Sequence, residues 1–240
     1  MNCSNLKHHI CGVRIAAIDR KENTMTKVTA IHTVQSVYAS FPDLIRETIP
    51  GAEVVNIVDE FLASDPAVKG EFTTNNLNRL YAILRCAEMT EPNVIVVTCS
   101  TLTPSLETLR PLISTPILAI DGAMLRKAVA TGTTITILAT AQSAIKPVKT
   151  SLTREGARQG KTLNIDIIRC DAAFAAIKKM DKVTHDSEVL AAAMTITGRD
   201  VIILAQASTA HLEEEIQKLT GIPTLSSPKL CMEELKQLVG

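Results

Sequence analysis

The residues best suited to chemistry lie in one run, Asn93 to Pro104, where an apolar stretch, Val94 to Val97, stops at Thr98-Cys99-Ser100-Thr101 and is followed by Thr103-Pro104. A cysteine thiolate is a nucleophile and a base. Hydroxyls and free backbone N–H groups beside it would hold a carboxylate or stabilise a developing anion. Together these groups suit a carboxylate guest beside a thiol of lowered pKa. A free cysteine is more commonly a small buried hydrophobe, and that reading is given to Cys3, Cys11, Cys86, Cys170 and Cys231. Cys99 is set apart by its neighbours.

Two elements must position it. Val94 to Val97 reads as a strand buried on both faces, because a continuous β-branched run fits a covered parallel sheet. Thr103 then reads as an N-cap with Pro104 at the first helical position, opening a helix through Leu106, Leu109 and Leu112. Cys99 is thereby placed at a strand's carboxyl end just before a helix, where open α/β sheets bind ligands and where the helix dipole favours anions.

The arrangement occurs twice. Asp200 to Thr209 repeats strand, loop and helix start, and the pairs Asn93 and Asp200, Pro116 and Pro223, and Thr33 and Thr140 are each 107 positions apart. Three matches in one register predict two copies of one supersecondary unit. In that register His32-Thr33 lies over Ala139-Thr140, and the position facing Cys99 is Gln206. The predicted site therefore gathers His32, Thr33, Cys99, Ser100, Thr101, Thr140, Gln206 and Ser208 at strand ends. His32 titrates near neutrality and is a candidate to act on or orient a substrate. Thr140 could also cap the helix from Ala141 onward. Gln206 is a hydrogen-bonding group that needs partners if buried. His211, about one helical turn past the loop, reads as a solvent-side residue.

The expected elements alternate: strands Val28 to Ile31, Glu53 to Val58, Val94 to Val97, Ile117 to Ile120, Thr134 to Leu138, Leu163 to Ile168 and Val201 to Leu204, with helices between them. The helices are expected from Phe41-Pro42-Asp43, over Glu71 to Met89, over Ala141 to Gln159, as one helical region from Asp171 to Thr197, over Ala210 to Leu219, and over Pro228 to Val239. This predicts an α/β fold of two pseudo-twofold-related lobes, each a mainly parallel sheet flanked by helices, meeting at a cleft. Residues 1–26 read as a poorly ordered extension, 27–119 with 226–240 as the first lobe, and 120–225 as the second. Gly156 to Thr162 is one residue short of a phosphate-binding loop and follows a helix instead of a strand. It reads as a helix C-terminus and turn.

Composition narrows the function classes. Lysine plus arginine equals aspartate plus glutamate at 25 each, so no net charge argues for nucleic acid or an anionic membrane. Aromatic content of 2% and the absence of tryptophan remove the material of base-stacking platforms. No apolar stretch approaches the roughly 20 residues that span a bilayer. The six cysteines show no C-x-x-C pair and no metal-ligand spacing, which fits reduced thiols in a cytoplasmic chain.

Thr98-Cys99-Ser100-Thr101, Leu138-Ala139-Thr140, Ile120 to Met124 and Leu204 to Ser208 together resemble the aspartate/glutamate/hydantoin racemase superfamily over roughly residues 27–240. The resemblance implies two α/β lobes, no cofactor, a homo-oligomer (a dimer or higher), and a small carboxylate or amino acid held between one cysteine from each lobe. By position it makes Cys99 the first catalytic cysteine, gives His32-Thr33 a place at the substrate, and makes Ser100, Thr101 and Thr140 carboxylate-binding positions. The chain departs from the family where Ala205-Gln206-Ala207 stands in place of Gly-Cys-Thr or Gly-Cys-Ala. An amide does not titrate near neutrality. His32, Ser208 and His211 are the groups available for that face. The expected activity is proton transfer at an α-carbon by a single thiol, with a single-thiol decarboxylase or lyase, or a non-catalytic carboxylate-binding protein, as alternatives.

Overall fold

Uninterrupted apolar runs become strands covered on both sides. The computed structural model describes residues 25–239, so residues 1–24 of the expected extension lie outside the described residues. The first sheet holds β1 (Lys27–His32), β2 (Glu53–Val58), β3 (Val94–Val97) and β4 (Ile117–Ala119) in the order β2-β1-β3-β4. The second holds β5 (Thr134–Ala139), β6 (Asn164–Arg169), β7 (Val201–Leu204) and β8 (Thr224–Leu225) in the matching order β6-β5-β7-β8. Every pairing is parallel. All carboxyl ends within a sheet therefore point one way.

Alternate side chains along each strand serve opposite cores, as a period of two requires. In the first lobe Ile31, Ile95 and Val97 pack with Leu80 and Leu84 of α3 (Thr74–Glu88) and Leu106 of α4 (Thr103–Leu109). Val28, Ala30, Val94 and Val96 face the other way, onto Phe41 and Ile45 of α1 (Gln35–Thr48) and Cys231, Met232 and Leu235 of α10 (Ser227–Val239). The last helix thus returns to the first lobe, as expected, while its Leu230 joins the second lobe's core. There Ile135, Ile137 and Ile203 pack with Leu125 and Val129 of α5 (Gly122–Thr131) and Val148 and Leu152 of α6 (Gln142–Arg158).

Several expected helices differ in their limits. The first begins at Gln35, not Phe41, and carries Pro42 inside it. Proline was read there as a start marker, whereas it stands mid-helix. A helix absent from the expectation, α2 (Phe61–Lys69), contains Pro66 and ends on Gly70 at φ +74°. α3 starts at Thr74, where Thr73 and Asn76 form a reciprocal capping box. The region from Asp171 splits into α7 (Asp171–Ile177) and α8 (Lys182–Ala193), because Met180 sits at φ +61°. The helix expected over Ala210 to Leu219 is a 3-10 helix, Ala207–Leu212, running into α9 (Glu213–Thr220). Gly156 to Thr162 is a helix end and turn, with Gly160 at φ +69°. A Cβ at Gly156 would come within 2.8 Å of the Leu163 side chain, so helix packing accounts for that glycine.

Polar ties join the lobes behind the strand ends. Arg154 Nη1 donates to the Pro104 carbonyl at 2.8 Å, Arg158 pairs with Glu107 at 2.8 Å, and Arg126 pairs with Glu234 at 2.5 Å. A cavity of about 220 Å³ lies among these pairs, lined by Arg110, Gly122 and Arg126 among others, and includes none of the predicted site residues. Among the described residues no helix is long and apolar enough to cross a membrane.

Candidate active site

At the carboxyl end of β1 the sequence turns polar, and the structure closes a small network there. His32 is fully buried, with Nδ1 2.9 Å from Thr98 Oγ1 and Nε2 2.9 Å from Asn56 Oδ1. An amide oxygen only accepts, so Nε2 carries the proton. Burial lowers the His32 pKa, partly offset by the Asn56 hydrogen bond, which leaves the ring neutral. Nδ1 is then an acceptor for the Thr98 hydroxyl, whose oxygen also lies 3.1 Å from the Ile31 carbonyl, a second acceptor for the same single proton. Tyr38 and Phe41 meet the imidazole edge-on, with ring centres at 5.9 and 6.3 Å. Both ring nitrogens are engaged and no surface is exposed. The placement suits a brace joining β1, β2 and the Cys99 loop.

Cys99 follows Thr98 and is only half-buried. Its sulfur lies 2.8 Å from Thr101 Oγ1. If the sulfur is a thiolate, Thr101 must be the donor, since a thiolate has no proton to give. Leu102 N donates to the Cys99 carbonyl at 3.0 Å and Thr103 N to the Ser100 carbonyl at 3.3 Å, which shapes the turn before α4. Thr103 does not cap that helix; its hydroxyl donates to Asp121 Oδ1 at 2.6 Å.

The second lobe answers with a different group. Thr140 N, at the end of β5, donates to Gln206 Oε1 at 3.2 Å. Gln206 Nε2 is buried with no partner, and so is Thr33 Oγ1 on the first lobe. Among the described residues, Asp121 Oδ2, Thr136 Oγ1 and Glu234 Oε2 are likewise buried without a partner. Thr140 does not cap α6, whose N-cap is Ala141 without a side-chain bond. Ser100 and Thr101 are half-buried beside Cys99, whereas Ser208 is exposed. Ala207, next to Gln206, packs on the first lobe's core.

His211 is exposed, as expected, but not idle: it is 2.9 Å from Asp186 Oδ2 and 2.8 Å from Lys182 Nζ, both on α8. Burial would raise the Asp186 pKa, yet hydrogen bonds from Lys182, His185 and His211 outweigh it and hold the carboxyl well below the usual range. Among the described residues no group of three or more His, Cys, Asp or Glu side chains is placed to hold a metal ion.

The sequence profile of the Asp/Glu/hydantoin racemases matches residues 28–235, nearly the whole described chain. The chain belongs to the Asp/Glu/hydantoin racemase family. No curated protein matches it in sequence. Among solved racemase-family structures it is similar to a glutamate racemase isoform from Bacillus anthracis, at 16% identity and TM-score 0.64 over 89% of this chain and 81% of that one. Allantoin racemase from Klebsiella pneumoniae aligns at 17% identity and TM-score 0.63, covering 89% and 87% of the two chains. A mutant arylmalonate decarboxylase in a sulfate-associated form aligns at 17% identity and TM-score 0.61, covering 89% and 93%. At these identities the likeness is one of fold. Within this racemase-family fold, two residues escaped the sequence reading. Asn56 could have been found as the lone polar residue inside the strand Val54-Val55-Asn56-Ile57-Val58. Asp121 could have been found as an acid ending the strand beside Cys99's.

Proposed function

We propose that this protein moves a proton at the α-carbon of a small carboxylate, without a cofactor, using Cys99 as its single thiol. The observation that carries the reading is a half-buried sulfur at the carboxyl end of β3, in contact with the Thr101 hydroxyl. In the forward step the Cys99 thiolate takes the α-proton: the C–H bond breaks, an S–H bond forms, and the electron pair moves into the carboxylate as an enolate. Thr33, Ser100, Thr101, Thr140, Gln206 and Ser208 are the groups assigned to the carboxylate and its developing charge. The unpaired Thr33 hydroxyl and Gln206 amide support that assignment, because buried polar atoms ordinarily have partners.

The position in register with Cys99 on the other lobe is Gln206, an amide that does not titrate in the working range. The proton returns from the face it left. Exchange without inversion follows, and the same one-sided protonation completes a decarboxylation, whose loss of carbon dioxide leaves the same carbanion. His32 acts as the brace that sets the β1 and β3 ends.

The test is incubation with L- and D-aspartate, L- and D-glutamate and allantoin in deuterated water, read by NMR and chiral chromatography. Deuterium at the α-carbon with the starting configuration retained, abolished in Cys99→Ala, is the expected result. Exchange that persists in Cys99→Ala would overturn the assignment. Binding read as a rise in melting temperature, with no exchange of any of these acids, would leave a carboxylate-binding protein in its place.

A further inference from the structure

Asp121 is a buried acid that the proposed chemistry does not use. It is 1% exposed, one oxygen accepts from the Thr103 hydroxyl at 2.6 Å, and the other has no partner. Its level in the sheet is informative. β3 and β4 pair Val97 with Ala119, and Ile120 N donates to the Val97 carbonyl, so two residues further on Cys99 and Asp121 end neighbouring strands side by side. Asp121 also begins the crossover into the second lobe, immediately before α5. At the 107-residue shift the other lobe has Ala210 and Pro228 in place of Thr103 and Asp121. The hydroxyl–carboxylate pair thus accompanies the loop that bears the thiol and is absent from the loop that bears Gln206.

We propose that Asp121 is a positioning residue for Cys99: its carboxylate anchors the Thr103 hydroxyl and so fixes the turn from Cys99 to Thr103 against the crossover between the lobes. The inference rests on Cys99 being the reacting thiol. A hydroxyl bonded to an ionised carboxylate is held roughly twice as strongly as one bonded to a neutral acceptor. A purely structural role would be served better by an amide, because a buried carboxylate with an unpaired oxygen costs stability. Burial pushes Asp121 up to about 6, against the opposing Thr103 hydrogen bond. Its folded pKa is thus above the ordinary value of 3.8, so the burial penalty is absent below that value and fully present above about pH 6. Asp121 acts electrostatically on Cys231 of α10, as do Glu234 of α10 and Arg126 of α5; burial pushes that thiol far up, and Arg126 pairs with Glu234.

The experiment follows Cys99 directly. Iodoacetamide labelling of the full-length protein is measured between about pH 5 and about pH 8 at the Cys99 and Cys86 peptides by mass spectrometry, with thermal melts in parallel. In Asp121→Asn, which weakens the bond to the Thr103 hydroxyl, and in Thr103→Val, which removes it, Cys99 is expected to be labelled several-fold faster than in wild type above pH 6, with the exposed Cys86 unchanged. The double variant should add nothing to Thr103→Val alone, and Thr103→Ser should behave as wild type. Asp121→Asn should also melt higher than wild type at about pH 7.5 while slowing α-proton exchange of whichever test acid reacts by about tenfold, with KM unchanged. Cys99 labelling unaltered in both single variants, or a lower melting temperature in Asp121→Asn, would overturn the proposal. If wild type exchanges none of the acids, the reading of Cys99 as a base fails, and the labelling result still decides whether Asp121 and Thr103 hold the turn.

Discussion

Superposed by the 107-residue shift, the two lobes share strand order and core but differ at nearly every polar position near their strand ends. The first has His32, Thr98, Cys99, Thr101 and Thr103, where the second has Ala139, Ala205, Gln206, Ser208 and Ala210. Asn56, which pairs with Ala30 in register, corresponds to Ile167, which pairs with Ile137. The backbone scaffold was kept in both copies, while the hydrogen-bonded machinery is concentrated in one. Apolar packing specifies the sheets with little demand on the loops, so the loops are free to diverge. On the proposed function, the second lobe would supply a wall and a hydrogen-bond donor, and the first would supply reactivity.

The sharpest way to break that contrast is at the thiol. Cys99→Ala should lower α-proton exchange by about two to four powers of ten, the usual contribution of a positioned acid or base, measured by NMR in deuterated water. Removing Gln206 should be milder, and replacing it should be instructive. Gln206→Cys puts a titratable group opposite Cys99 and is expected to turn exchange with retention into racemisation, detected by chiral chromatography. It also leaves the Thr140 N–H without its acceptor, so carboxylate affinity should change with it. A variant that exchanges as before and still retains configuration would show that position 206 does not face the α-carbon.

Thr101→Val tests whether the contact to sulfur matters. A hydrogen bond to a charged group is worth about 1.5–3 kcal/mol, so loss of the Thr101 donor should slow exchange by about ten- to a hundredfold. His32 tests the brace by stability instead. Its folded pKa is below the ordinary histidine value of 6.5, so its contribution is fully present above that pH and is lost as pH falls below it. His32→Ala should lose about 1–3 kcal/mol for each buried partner left unpaired and should flatten the pH dependence of urea unfolding below pH 6.5. Importing the second lobe's solution, His32→Ala with Thr98→Ala, should recover part of that loss, because one of the orphaned partners is then removed as well.

Much of this was legible beforehand because the legible parts are periodic or positional. Continuous runs such as Val94 to Val97 admit few readings other than a covered strand, and the constant shift between copies puts Gln206 in register with Cys99 without any coordinates. Helix limits were less readable where proline misled: Pro42 and Pro66 both stand inside helices that packing completes. Side-chain hydrogen bonds were least readable of all. The Thr103 hydroxyl suited a cap by local sequence and was instead taken by Asp121, 18 residues away. Likewise His32 looked available because histidine titrates near neutrality, and only the converging of β1, β2 and β3 shows both of its nitrogens already spent.

The smallest expected effect is at Ser208, the counterpart of Thr101. Thr101 is half-buried against a sulfur atom, whereas Ser208 is exposed on the 3-10 helix Ala207–Leu212, two residues after the amide Gln206. A surface hydroxyl is hydrated in both the free and folded states, so its removal is worth within about 0.5 kcal/mol in stability. Against a bound carboxylate it competes with water for the same bond, which limits its share of affinity to about threefold. Ser208→Ala should therefore leave melting temperature and exchange rate close to wild type and raise KM by no more than that factor. A tenfold rise in KM would mean that the second lobe grips the substrate as firmly as the first, and the division of labour between the two copies would have to be redrawn.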